Sequence, residues 1–231
     1  MHRRSAGLLA LAALALLCLI LPWSARNAVA DENAAADEND DRRPWLVMDY
    51  LAGDNNLSEE MVRALQALQA GDLLTKMDLN IVAQFDPSGL GLPTQRYSFN
   101  QPGTTLKDYL VTSHLNDIAT GGNAAADLES NTGNPNALSG FIKWAVKEHG
   151  KFTDDAGKPK DRRLFLILSG HGSGSTEDFL LKDENAMDAL SISELDEALK
   201  MAMEGITEPD QDTRKIDILG MDACFMSMFE V

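Results

Sequence analysis

One cysteine and one histidine in this chain stand where an enzyme would place a nucleophile and its base. Cys224 closes the stretch Lys215-Ile-Asp-Ile-Leu-Gly-Met-Asp-Ala-Cys224. Ile216 to Met221 is a short apolar run of the kind a buried strand carries. A thiol at the carboxyl end of such a strand, ahead of a helix, is reachable and its thiolate is stabilised. His171 follows the same logic. Leu164-Phe-Leu-Ile-Leu168 is a second apolar run, and Ser169-Gly-His-Gly-Ser-Gly174 comes after it. If the two runs are neighbouring parallel strands, His171 and Cys224 open into one crevice, and the imidazole can take the thiol proton. Alone, each signal is weak. A histidine between glycines is often only a turn residue, and a lone cysteine is more often a small buried hydrophobe. The argument rests on the pair.

Other chemistries find little support. His114 and His149 fall in a loop and at a helix end and read as solvated. No HExxH or CxxC spacing is present, so a zinc hydrolase is disfavoured. No GxSxG elbow occurs, since Ser173 is flanked by His171 and Ser175. Asp183-Glu-Asn-Ala-Met-Asp188 clusters oxygens compatible with calcium, but without EF-hand spacing, and a polar loop is the simpler reading.

The compartment follows from the first residues. Met1-His-Arg-Arg4 is basic, Gly7 to Trp23 is apolar and Ala28-Val-Ala30 is a small-x-small site. Residues 1–30 therefore read as a signal peptide cleaved after Ala30, which implies a periplasmic or secreted protein. The competing reading, a membrane anchor, is weakened by the short apolar core and by Pro22, so no stable anchor is expected. Leu17 before Cys18 does not fit a lipidation site. Residues 1–30 hold three of the twenty Lys and Arg and no acid, which leaves a charge of −19 beyond them. Such a surface excludes general nucleic-acid binding on electrostatic grounds. It suits a cationic substrate, although a solvated acidic surface is the commoner cause. Cys224 is the one cysteine left after residue 30. In an oxidising compartment an odd cysteine is an intermolecular bridge or a working thiol.

The elements that must position the pair can be traced along the chain. Residues 31–43 are rich in Asp, Glu, Asn and Ala and read as a disordered acidic tail. Residues 44–231 form one domain. Trp45 to Ala52 is a strand in which Asp49 needs a partner. Gly53-Asp-Asn-Asn56 is a turn. Ser58 caps a helix whose inner face carries Leu65, Leu68, Leu73 and Leu74. Leu79 to Phe85 is the second strand, and Gln95 to Phe99 a short one. Asn116 to Asn134 reads as surface loop. Pro135 opens a helix that ends at Gly150. Thr153 to Lys160 is a turn, Phe179 to Leu181 a short strand, and Ser191 to Met203 an amphipathic helix. Strands alternating with helices predict a parallel α/β sheet.

Several of these segments resemble the clostripain family of cysteine peptidases, which share the caspase-haemoglobinase fold. Trp45 to Leu57 is similar to the family's first strand and its Asp-Asn-Asn-Leu turn. Asn131-Thr-Gly-Asn-Pro135 with Phe141-Ile-Lys-Trp144 resembles the helix before the His strand, and Leu195 to Leu199 the helix after it. His171-Gly172 stands at the family's His-Gly. Asp217 to Val231 resembles the Asp-Ala-Cys segment almost position by position. The resemblance implies a caspase-like α/β/α sandwich with a parallel sheet. It implies Cys224 as nucleophile, His171 as base or acid, and the N–H groups of Gly172 and Cys224 as oxyanion hole. Asp222 would line the pocket for a P1 Arg or Lys, or cap the following helix. Asp49 departs from the pattern, being charged where the family has an apolar residue. The chain stops at Val231, so the family's C-terminal strands are expected to be missing, and a second chain could complete the fold. The rival readings are an inactive binding module on this fold and an acidic structural domain whose His and Cys are incidental.

Overall fold

The computed structural model describes residues 44–70, 79–89, 92–100, 103–111, 129–153, 156–158, 161–173, 179–204 and 216–224. Outside these lie the expected signal peptide, the acidic tail, Leu73, Leu74, His114, most of the Asn116–Asn134 loop and the helix expected after Cys224.

The core is a sheet in the order β3-β2-β1-β4-β7. Strand β1 (Trp45–Gly53) is central, as its run of apolar residues predicts, and eight of its nine residues are buried. It pairs in parallel with β2 (Leu79–Pro87) on one side and β4 (Arg163–Gly170) on the other. Strand β3 (Gln95–Ser98) closes one edge antiparallel to β2. Strand β7 (Ile218–Ala223) lies parallel to β4 at the other. The chain first moves from β1 to β2, then crosses back to β4, so the winding reverses between β1 and β4. Crevices at the carboxyl ends of strands open at such reversals.

Helices cover both faces. Leu46, Met48 and Tyr50 of β1 and Leu164, Leu166 and Leu168 of β4 point to one side. There they pack on α2 (Pro135–His149) and α3 (Ile192–Glu204), with Phe141, Ile142, Leu195 and Ala198 at the centre. Helix α1 (Ser58–Ala70) buries Met61 and Leu65 against β1 and β2. The result is the expected α/β sandwich with a mostly parallel sheet. Asn134 caps α2, its side chain accepting from the Asn136 N–H, and Gly150 ends it. Ser191 and Glu194 bond reciprocally at the start of α3, a capping box. Between β4 and α3 stands a hairpin, β5 (Leu180–Asp183) and β6 (Asp188–Leu190), of which only the first strand is anticipated.

Three expectations need correction. Ser58 does not cap α1: it is the first residue of the helix, and the cap position falls on Leu57, whose carbonyl accepts from the Met61 N–H at 3.0 Å. The Ser58 hydroxyl accepts from the Ser88 N–H at 3.1 Å. His149 is not simply solvated: its ring lies edge-on to Trp144 and its Nδ1 is 3.2 Å from Asn100 Nδ2. The cysteine strand is not buried, since none of the six residues of β7 is. Its apolar run marks a strand, but a strand at the sheet edge, with Ile218 40% exposed.

Candidate active site

The register of β4 against β7 runs from Phe165↔Ile218 to Gly170↔Ala223. One residue further along each strand come His171 and Cys224. The two therefore leave the sheet side by side at the carboxyl edge, on adjacent parallel strands. His171 is half-buried, and Cys224 is an exposed free thiol.

The hairpin holds the histidine's backbone. The His171 carbonyl accepts from the Leu181 N–H at 2.8 Å, and the Ser173 N–H donates to the Phe179 carbonyl at 3.0 Å. These two bonds flank a bridge between Gly172 and Leu180. Both belong to neighbours of Gly172, so its own N–H takes no part in the bridge. Leu181 makes its bond from the left-handed region, with φ 57. For a residue with a side chain this costs about 1–2 kcal/mol, offset here by complete burial of the leucine.

The turn after β1 reaches the same place. Asn55 is buried, and its Nδ2 donates to the carbonyls of Ala52 at 3.0 Å and Lys182 at 2.8 Å. Its Oδ1 accepts from the Leu57 N–H at 2.9 Å. The Asp54 carbonyl accepts from the Glu184 N–H, and its Oδ2 from the Asn185 N–H, both at 2.8 Å. Gly53 allows this turn because a Cβ there would lie 2.5 Å from the Phe85 ring. Thus clamped, the turn presents Asn56, whose Oδ1 lies 2.7 Å from His171 Nε2. Reading the sequence as a turn missed Asn56. The available signal was three consecutive Asx residues directly after a buried strand, side chains that bond back to nearby groups.

Carboxylates lie below the pair. Asp49, Ser169 and Asp222 share one face of β1, β4 and β7, with Ser169 directly opposite Asp222. Asp49 is buried, and the Ser169 hydroxyl donates to its Oδ1 at 3.3 Å. Burial, and then the charge of Asp222, push Asp49 up to about 7. The partners that this charged position demanded are thus the Ser169 hydroxyl and, in part, a proton. Asp222 itself is solvent-exposed, yet the protein around it is dense enough that desolvation raises its pKa.

A second acidic group stands behind the turn. Asp54, Glu129 and Asp183 bring carboxylate oxygens within 4.8 Å of one another, spacing that a divalent cation's oxygen shell can take. Of the Asp183–Asp188 segment, only Asp183 belongs to it. Asp188 is exposed and accepts from Asn131 Nδ2 at 2.7 Å. Asp183 also accepts from the Thr132 N–H at 2.9 Å. Gly133 packs tightly here, since a Cβ would meet the Ala189 backbone at 2.7 Å.

No curated protein matches the chain. Two solved structures from Bacteroides thetaiotaomicron are similar. One is a secreted C11 cysteine protease in complex with an irreversible peptide inhibitor. It is 18% identical with a TM-score of 0.50, over 79% of this chain and 43% of that one. The other is a secreted C11 cysteine protease called iotapain, 13% identical with a TM-score of 0.50, over 80% of this chain and 47% of that one. This chain thus spans less than half the length of the solved proteins it matches, and the likeness shows the caspase-like C11 fold. The model of the clostripain family, Peptidase C11, matches residues 49–231, from the middle of β1 through Cys224 and beyond. The chain belongs to the clostripain family.

Proposed function

We propose that the chain is a cysteine endopeptidase domain that cleaves after Arg or Lys. The register that brings His171 and Cys224 out side by side carries this reading. His171 takes the proton of the Cys224 thiol. The sulfur attacks the scissile carbonyl carbon, and the oxygen becomes an oxyanion facing the N–H groups of Gly172 and Cys224. The imidazolium then protonates the leaving amine as the C–N bond breaks, leaving a thioester. Water, deprotonated by the same imidazole, hydrolyses the thioester and restores the thiol.

Asp222, two residues before the nucleophile, supplies the carboxylate for a P1 guanidinium or ammonium. Partial desolvation supports that role, because a cation that enters a poorly hydrated carboxylate's surroundings is attracted more strongly than in water. Residues 1–30 direct export, and cleavage after Ala30 leaves 31–43 as an acidic leader to the domain. The half-exposed side chains of β7 support a second chain, or another segment, pairing there.

An arginyl chloromethyl ketone tests the proposal. Cys224 should be labelled far faster by it than by its leucyl analogue. His171→Ala should abolish the labelling, and Asp222→Asn should erase the preference for arginine. Equal labelling by both probes would refute basic specificity, and labelling that survives His171→Ala would refute the dyad.

A further inference from the structure

We infer that Asn56 is the positioning residue for the His171 ring, holding it in the one tautomer that can serve Cys224. This rests on the dyad proposed above. An amide oxygen only accepts hydrogen bonds, so Asn56 Oδ1 at 2.7 Å requires the proton to be on Nε2. A neutral imidazole has one N–H, which leaves Nδ1 with its lone pair available to the thiol. When Nδ1 takes the thiol proton, the same bond becomes charge-assisted and stabilises the imidazolium.

Both ends of the bond are anchored separately. Asn56 belongs to the turn fixed by Asp54 and Asn55 to residues 182, 184 and 185. His171 is fixed through its carbonyl to Leu181. The hairpin β5–β6 is thus the common jig for donor and acceptor, and the ring does not have to be ordered when substrate arrives. An amide also differs from a carboxylate in this role. It selects the tautomer without placing a full negative charge beside the imidazolium.

The test uses the full chain and two readouts. Two-bond 15N–1H correlation spectra identify the His171 ring by its loss in His171→Ala. The wild-type ring should be the Nε2-protonated tautomer. Asn56→Ala should lose that preference, and Asn56→Asp, which keeps an acceptor, should retain it. Alkylation by iodoacetamide across pH, read against Cys224→Ala because Cys18 is a second thiol, should slow about tenfold near neutral pH in Asn56→Ala and recover in Asn56→Asp. A wild-type ring protonated at Nδ1 would overturn the inference even if the alanine variant failed to fold. So would an unchanged pH profile in Asn56→Ala while His171→Ala abolishes fast alkylation, an outcome that leaves the dyad standing. Alkylation indifferent to His171→Ala would remove the dyad and this role together.

Discussion

The two strands that lead to His171 and Cys224 are neighbours in unlike surroundings. Strand β4 lies between β1 and β7 and buries Leu164, Phe165, Leu166 and Leu168. The histidine at its end is clamped by the hairpin and bonded to the turn after β1. Strand β7 has one neighbour among the described residues, and no residue of it is buried. His171 is thus tied to the interior strands through its backbone and Asn56, while Cys224 stands exposed on the rim. Under the dyad proposed above, this arrangement anchors the proton acceptor more firmly than the thiol.

Leu166 and Leu219 face each other across the register and give the sharpest test of this contrast. Leu166→Ala should destabilise the domain by about 2–5 kcal/mol, as a cavity in a close-packed core does. Leu219→Ala removes a half-buried side chain and should cost about 1 kcal/mol. Urea denaturation of both variants checks this. Equal losses would mean that β7 is as much part of the core as β4.

Asn55→Ala comes next. It strips a donor from two carbonyls and an acceptor from the Leu57 N–H, all in the turn that carries Asn56 to His171. The expected loss is about 1–3 kcal/mol, with a lower melting temperature. Protection against hydrogen exchange should fall first at Leu181 and Glu184. Loss of protection confined to β7 would contradict the bracing role given to the turn.

The contrast can also be read in pH. Desolvation by burial is the main cause raising Asp86 to about 8 and Asp54 to about 6, as it is for Asp49 at about 7. These carboxyls hold protons in the folded state that the unfolded chain releases near 4. Their stabilising contribution is complete below that value and is lost as pH rises through 6 to 8. The melting temperature should be higher at pH 5 than at pH 8. Asp86→Asn should flatten the slope, since it keeps an acceptor for the Thr94 hydroxyl that bonds Asp86 Oδ1 at 2.6 Å. A melting temperature that rises towards pH 8 would reverse the sign and refute the account.

The smallest effect links the two strands. Asp222→Asn on β7 removes a charge that helps hold Asp49 up. The carboxyl carbon of Asp49, followed by NMR, should then titrate lower, though still above an ordinary aspartate because burial remains. No change would show that the rim does not reach the core electrostatically.

How much of this was legible follows from the kinds of signal involved. Trp45 to Ala52 and Leu164 to Leu168 are apolar without alternation, which marks strands covered on both faces, and they lie where expected. Ile216 to Met221 has the same composition but sits at an edge. Composition records what a strand can bury, not whether a neighbour arrives to bury it. His171 and Cys224 could be singled out because their residue types are chemically conspicuous at strand ends. Asn56 could not, because an asparagine in a turn has a sufficient local explanation. Its partner lies 115 residues away, and only the folding of β1 beside β4 brings them together. The hairpin was half-visible for a similar reason, as Asp188–Leu190 is too short to carry a period.

The pairing of Gly170 with Ala223 has a genetic consequence. Side chains alternate between faces along a strand, so a slip of one residue exchanges every face of β7. A point substitution at Ile218 or Met221 changes one half-exposed side chain. Inserting or deleting a single residue between Ile218 and Asp222 would carry the thiol out of step with His171 and turn Asp222 to the opposite side. Length, more than composition, is therefore what selection must guard in this stretch.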